Sequence, residues 1–189
     1  NESGPEKQFV LVEDFSEADA LFEKAKKEKR IGMELLAENG SVTALALSFE
    51  ETGSYIFPVG GFMTEGYIAG KYEELCRTGH AWVLDLKHSL PFAKLSYGDT
   101  VYDAGVAAYL LNPLKDTYGY DDIARDVLGM TVPSRADLIK KMSYKDACAK
   151  EQDNFTRMAG LMAYTAFAAG KPLSERLAAE GMEDLYRNI

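Results

Sequence analysis

Between residues 30 and 60 the chain alternates three apolar runs with two short polar breaks. The runs read RIGMELL, SVTALALSF and SYIFPVG, and the breaks are Glu38-Asn39-Gly40 and Glu51-Thr52-Gly53. Short runs of this composition, ended by Asn-Gly and Thr-Gly, predict strands joined by tight turns, hence an antiparallel meander. Upstream, Ser16-Glu17-Ala18-Asp19 has the form of a capping box, and Leu21 and Ala25 suit a short first helix. Downstream the pattern changes. TEGYIAGKYEELCRTG (64–79) opens on an N-cap residue and stops at glycine, as a helix does. AWVLDL then predicts a short strand, HSLPFAKLSYG a helix, and DTVYDAGVAAYLLNP a strand running into a helix that ends at Pro113. Residues 118–141 read as small helices. Ser143-Tyr144-Lys145-Asp146 caps a long helix that ends at Gly170-Lys171-Pro172, and two short helical pieces follow. Three antiparallel strands followed by strands alternating with helices predict an α/β fold, a mixed sheet flanked by α-helices. It forms one domain over residues 9–189, after a polar linker remnant at 1–8.

Composition narrows the class. With 47% apolar and 11% aromatic residues in 189, the chain can fill the core of one domain. Its net charge of −9 opposes a broad basic face, so DNA contact by this domain alone is expected to be weak. The dense basic run KAKKEKR (24–30) reads as the solvated end of an amphipathic helix. No signal-peptide pattern is present, and the longest apolar stretch, MAGLMAYTAFAAG (158–170), is short of the roughly 18 to 20 residues that span a bilayer. The expectation is a cytoplasmic monomer with no membrane partner. Cys76 and Cys148 are isolated, and His80 and His88 have no Cys/His/Asp cluster around them, so no metal site is expected from these residues.

No GxSxG, GxGxxG, Walker loop or HExxH occurs, which leaves carboxylates as the candidate chemistry. Along RIGMELL, Gly32, Glu34 and Leu36 share one face, and Ile31, Met33 and Leu35 share the other. A two-metal phosphodiesterase needs several bridging oxygen ligands, and Gly32 supplies none. Asp85 and Asp103 each precede a predicted helix, where capping competes with a role as substitute carboxylate. In the long helix Tyr144, Cys148, Gln152, Phe155, Ala159, Met162 and Ala166 fall on one stripe that faces the sheet. Gln152 therefore looks inward, and Asp153, about 100° round the helix, points elsewhere.

The order of RIGMELLAENGSVTALALSF, WVLDLKHSLPFAKL, YDAGVAAYLLNP, CAKEQDNFTRMAGLM and MEDLYRNI resembles the 3′-to-5′ exonuclease domain of bacterial family A DNA polymerases, the DNA polymerase I group. The resemblance covers nearly the whole chain and implies a ribonuclease H-like fold. Its most specific pieces are YLLNP and the closing LYRNI, where the polymerase region would begin. Proofreading members carry an Asp-x-Glu pair, which falls on Gly32 and Glu34. Their second motif, an asparagine followed four residues later by an aspartate, falls on Asp85 and Ser89. Their Tyr-x-x-x-Asp falls on Cys148 and Gln152; a shift of one residue would put Asp153 at the aspartate and turn Cys148 and Phe155 off the apolar face.

One ligand of four, Glu34, survives. The resemblance thus implies a vestigial, catalytically inactive domain with no metal of its own. It would support the polymerase region of the same chain in replication and repair, with Mg serving only that region and DNA reached through it. Two alternatives stay open: a weakly active Mg-dependent proofreading exonuclease using Glu34 with Asp85, Asp103 or Asp153, and an independent nucleic-acid or protein-binding module.

Overall fold

The computed structural model describes residues 8–96, 100–115 and 117–183. The linker expected at the start and the closing LYRNI therefore lie outside the described residues, apart from Gln8. That residue begins β1 (Gln8–Leu11), a strand that the sequence pattern did not reveal. Helix α1 (Phe15–Lys26) is capped by Asp14, whose Oδ2 accepts the Glu17 N–H at 2.9 Å. The box expected at Ser16 does not form, because Ser16 already lies inside the first turn.

The meander is present as β2 (Ile31–Glu38), β3 (Ser41–Glu50) and β4 (Gly53–Pro58). Asn39 and Gly40 turn β2 into β3 with φ of 54° and 78°, the left-handed pair that a two-residue hairpin demands. Then α2 (Glu65–Cys76), capped by Thr64, leads to the three-residue β5 (Ala81–Val83). Of the helix expected in HSLPFAKLSYG the described residues show only a turn, α3 (Leu86–Ser89), with Pro91 just beyond it, and Tyr97 and Gly98 lie outside the described residues. Strand β6 (Tyr102–Asp103) runs directly into α4 (Ala104–Leu111), and the small helices α5 (Tyr120–Leu128) and α6 (Arg135–Ile139) follow.

Among the described residues the strands form one mixed sheet of six in the order β1-β4-β3-β2-β5-β6. β3 runs antiparallel to both β2 and β4, whereas β1 pairs parallel with β4, β5 with β2, and β6 with β5. Side-chain alternation divides the core. Ile31, Met33 and Leu35 pack with Phe22 of α1 and Ile68 and Tyr72 of α2, while Leu36, Ala44 and Ala46 pack with the C-terminal helices. The sheet is thus the middle layer of three.

The long helix expected from Ser143 onward is two helices, α7 (Tyr144–Lys150) and α8 (Gln152–Ala179). Glu151, at φ −132° and ψ 55°, separates them. The second helix also continues past Gly170-Lys171-Pro172. A proline inside a helix costs about 3 kcal/mol, but beyond it Leu173 and Leu177 are buried, each contributing roughly 1.5–3 kcal/mol of apolar burial. Core packing therefore carries α8 through the stop signal. No helix among the described residues is long and apolar enough to cross a membrane.

Candidate functional site

Gly32, Glu34 and Leu36 do share a face, and α8 covers it. At Gly32 the helix approaches so closely that a Cβ would lie 2.2 Å from the Phe167 backbone nitrogen and 2.4 Å from the Ala163 carbonyl oxygen. Two residues on, Glu34 stands opposite Ala46 in the β2–β3 ladder and is half-buried. Its carboxyl has no hydrogen bond or ion pair with another described residue. Loss of water around it, reinforced by the charges of Asp85 and Asp103, pushes its pKa from the ordinary 4.5 up to about 8. Three carboxyls thus share one electrostatic neighbourhood at the ends of β5 and β6.

Two of the three are already engaged. Asp85 is exposed and accepts the His88 N–H as the N-cap of α3. Asp103 caps α4 through the Val106 N–H and ties in α3 through the Leu86 N–H, each at 2.9 Å. Burial raises the Asp103 pKa, against the opposing pull of these backbone donors. Ser89 is buried, with its hydroxyl 2.9 Å from the Tyr72 hydroxyl and donating to the Leu86 carbonyl at 2.8 Å.

The structure separates Cys148 and Gln152 from this neighbourhood. Cys148 is half-buried and Gln152 exposed, and both line a cavity with Glu13, Asp14 and Phe62. Burial and the charge of Glu13 raise the Cys148 pKa. The expected inward orientation of Gln152 fails because the break at Glu151 interrupts the helical period on which it rested. Asp153 is exposed as well and lines a neighbouring groove with Phe9, Leu11 and Arg157.

From this part of the chain Tyr144 reaches the field of Glu34. Burial foremost, with Glu34 next, raises the Tyr144 pKa. Glu38 fixes it there: Oε1 accepts the Tyr144 N–H at 2.7 Å, and both carboxylate oxygens accept from Arg135 Nη2 at 3.0 and 3.1 Å. Glu38 and Arg135 lie 97 positions apart and share no motif, so no local pattern singles them out. Tyr144 stood in the apolar stripe, where its hydroxyl gave no separate signal.

The same arrangement of strands and helices occurs in solved structures. RNase D of Escherichia coli, described as an exoribonuclease involved in structured RNA processing, superposes with a TM-score of 0.70 at 10% identity, over 97% of this chain and 48% of that one. The POL domain of Pol1 from M. smegmatis, in complex with DNA primer-template and dNTP, gives 0.67 at 16% identity, over 94% of this chain and 29% of that one. NrnC of Brucella melitensis gives 0.67 at 11% identity, over 87% and 81%. The fold is ribonuclease H-like. It is the fold of 3′-to-5′ exonuclease domains, and the chain spans less than half the length of the RNase D and Pol1 chains. No family model and no curated protein matches the sequence.

A ribonuclease H-like exonuclease fold implies a pair of divalent cations beside Glu34. The residues present do not fit them. Among the described residues no group of three or more His, Cys, Asp or Glu side chains is placed to hold a metal ion. The backbone of α8 fills the space a side chain at position 32 would need. Asp103 and Glu38 are spent on backbone donors and Arg135, and the Ser89 hydroxyl is held by Tyr72 and Leu86.

Proposed function

We propose that this chain is a catalytically inactive 3′-to-5′ exonuclease-like domain of a bacterial DNA polymerase I, kept as a support for the polymerase region. The observation that carries the reading is the contact at Gly32. The position matched to the first catalytic aspartate has lost its carboxylate, and α8 has taken the room a replacement would occupy. Two-metal hydrolysis needs clustered carboxylates to hold both cations, which activate the attacking water and stabilise the departing 3′ oxygen. A single half-buried Glu34, whose pKa favours the neutral form, is a poor substitute for that set. The polymerase assignment rests on YLLNP and LYRNI together with the likeness to the Pol1 chain.

The test is incubation of the protein with labelled single-stranded DNA and RNA in Mg²⁺ or Mn²⁺. The expected outcome is no release of 3′ nucleotides. Release that disappears in Glu34→Gln would overturn the proposal in favour of a weakened exonuclease.

A further inference from the structure

At the opposite end of β5 from Asp85, a groove of about 480 Å³ opens between the starts of β2 and β5 and the C-terminal half of α8. Its walls bring together Lys29, Arg30, His80, Trp82, Tyr102 and Lys171. In a chain of net charge −9, three permanent cations here face one carboxylate, Glu183. Other cations of the described residues do pair with acids, Lys26 and Lys71 with Glu74, Arg125 with Asp122 and Arg135 with Glu38, so the groove is marked by its cations gathering beside aromatic rings and not by the want of ion pairs alone. Lys29 and Lys171 are exposed and have no ion pair with a described residue.

The groove is also preorganised. The Arg30 Nε donates to the Phe167 carbonyl at 2.8 Å, and its guanidinium lies 4.4 Å from the centre of the Phe167 ring, so the head group is fixed before any ligand arrives. Gly170 makes this possible, since a Cβ there would stand 2.8 Å from Trp82 Nε1 and 2.9 Å from Arg30 Cδ. Trp82 stacks on Tyr102 with ring centres 5.0 Å apart and planes at 19°. Trp82 is buried, which leaves the half-buried Tyr102 as the aromatic wall that solvent reaches.

We propose that this groove binds the backbone of a single-stranded nucleic acid, with phosphates held by Lys29, Arg30 and Lys171 and a base resting against Tyr102. Cations interleaved with an aromatic wall match the alternation of phosphate and base along a strand. An acidic peptide would use the cations and leave Tyr102 without a role. The inference stands apart from the question of exonuclease activity, because none of these residues belongs to the Glu34 neighbourhood.

The test is fluorescence anisotropy of a labelled oligothymidylate of about twenty nucleotides with the whole chain, titrated at several salt concentrations from about 20 mM. The expected result is weak binding whose logarithm falls with the logarithm of salt at a slope of about −2, for three phosphates at roughly 0.7 each. Lys171→Gln should reduce that slope by about 0.7, and Lys29→Glu with Lys171→Glu should weaken binding about tenfold or more. Both lysines are exposed, and unchanged unfolding curves would show that the fold persists. The same reversals at the exposed Lys145 and Lys150 should leave binding as it was. Absence of binding at low salt, equal loss from the control pair, or equally tight binding of polyglutamate would overturn the proposal.

Discussion

Replacing Gly32 by alanine adds one carbon at the point where β2 meets the backbone of α8. That carbon would sit 2.2 Å from the Phe167 nitrogen, 2.4 Å from the Ala163 oxygen and 2.6 Å from the Phe167 Cα. Comfortable heavy-atom contact begins near 3.5 Å, so the two elements must part by on the order of 1 Å. Neither can yield by turning a side chain, because the opposing atoms belong to the main chain of a helix bearing buried Phe155, Ala159, Ala163 and Ala166. Overpacking of a core costs about 1–3 kcal/mol, and backbone opposition places this case at the upper end; the entropy lost by the unfolded chain returns at most about 1 kcal/mol. The expected net destabilisation is about 2 kcal/mol, which for a domain of this size lowers the melting temperature by roughly 4–8 °C. Urea unfolding followed by circular dichroism should show a lower midpoint with an unchanged slope. Gly70→Ala is the control, since Gly70 lies within α2 with nothing inside 4 Å of its Cβ, and alanine there should stabilise by about 0.5–1 kcal/mol. If Gly32→Ala matched Gly70→Ala, the argument that α8 leaves no room for a side chain at position 32 would be wrong.

Glu34 makes stability depend on pH. Between about 4.5 and 8 the unfolded carboxyl is ionised while the folded one still holds its proton, so stability should fall as pH rises through that window and level off above it. The shift bounds the loss at about 5 kcal/mol, and Glu34→Gln should flatten the profile and leave the variant more stable than the parent at pH 8; a profile unchanged by the substitution would refute the burial argument. Asp103→Ala should cost about 2 kcal/mol through the unsatisfied Val106 and Leu86 N–H groups, and Asp103→Asn, with one acceptor oxygen in place of two, about half of that. Chemical denaturation of the two variants measures both values, and equal losses would argue against the two-oxygen cap.

The strands of the meander were legible because their period, their Asn-Gly break and their apolar content all pointed the same way. The face shared by Gly32 and Glu34 was legible for the same reason: alternation in a strand is strict, and the ladder with β3 preserves it. Helix α8 departs from local rules at both ends. A 3.6-residue stripe drawn through Tyr144, Cys148 and Gln152 assumes one unbroken helix, and Glu151 breaks it. Pro172 reads as a stop until the burial of Leu173 and Leu177 is known, and burial is a property of the folded whole. The partnership of Glu38 with Arg135 and Tyr144 and the gathering of cations around Trp82 depend on positions distant in sequence, so no local pattern announces them.

The two features of β2 support each other physically. α8 lies close against Gly32 and covers the face that also carries Glu34, and burial is the main cause of the raised Glu34 pKa. A cation arriving at Glu34 would first have to displace a proton, at about 1.4 kcal/mol at pH 7, and would then find no second carboxyl to share its charge. Introducing acids one at a time therefore should not build a metal site. An aspartate at position 32 would need α8 to retreat, and until it did, Glu34 would stay protonated and without a partner.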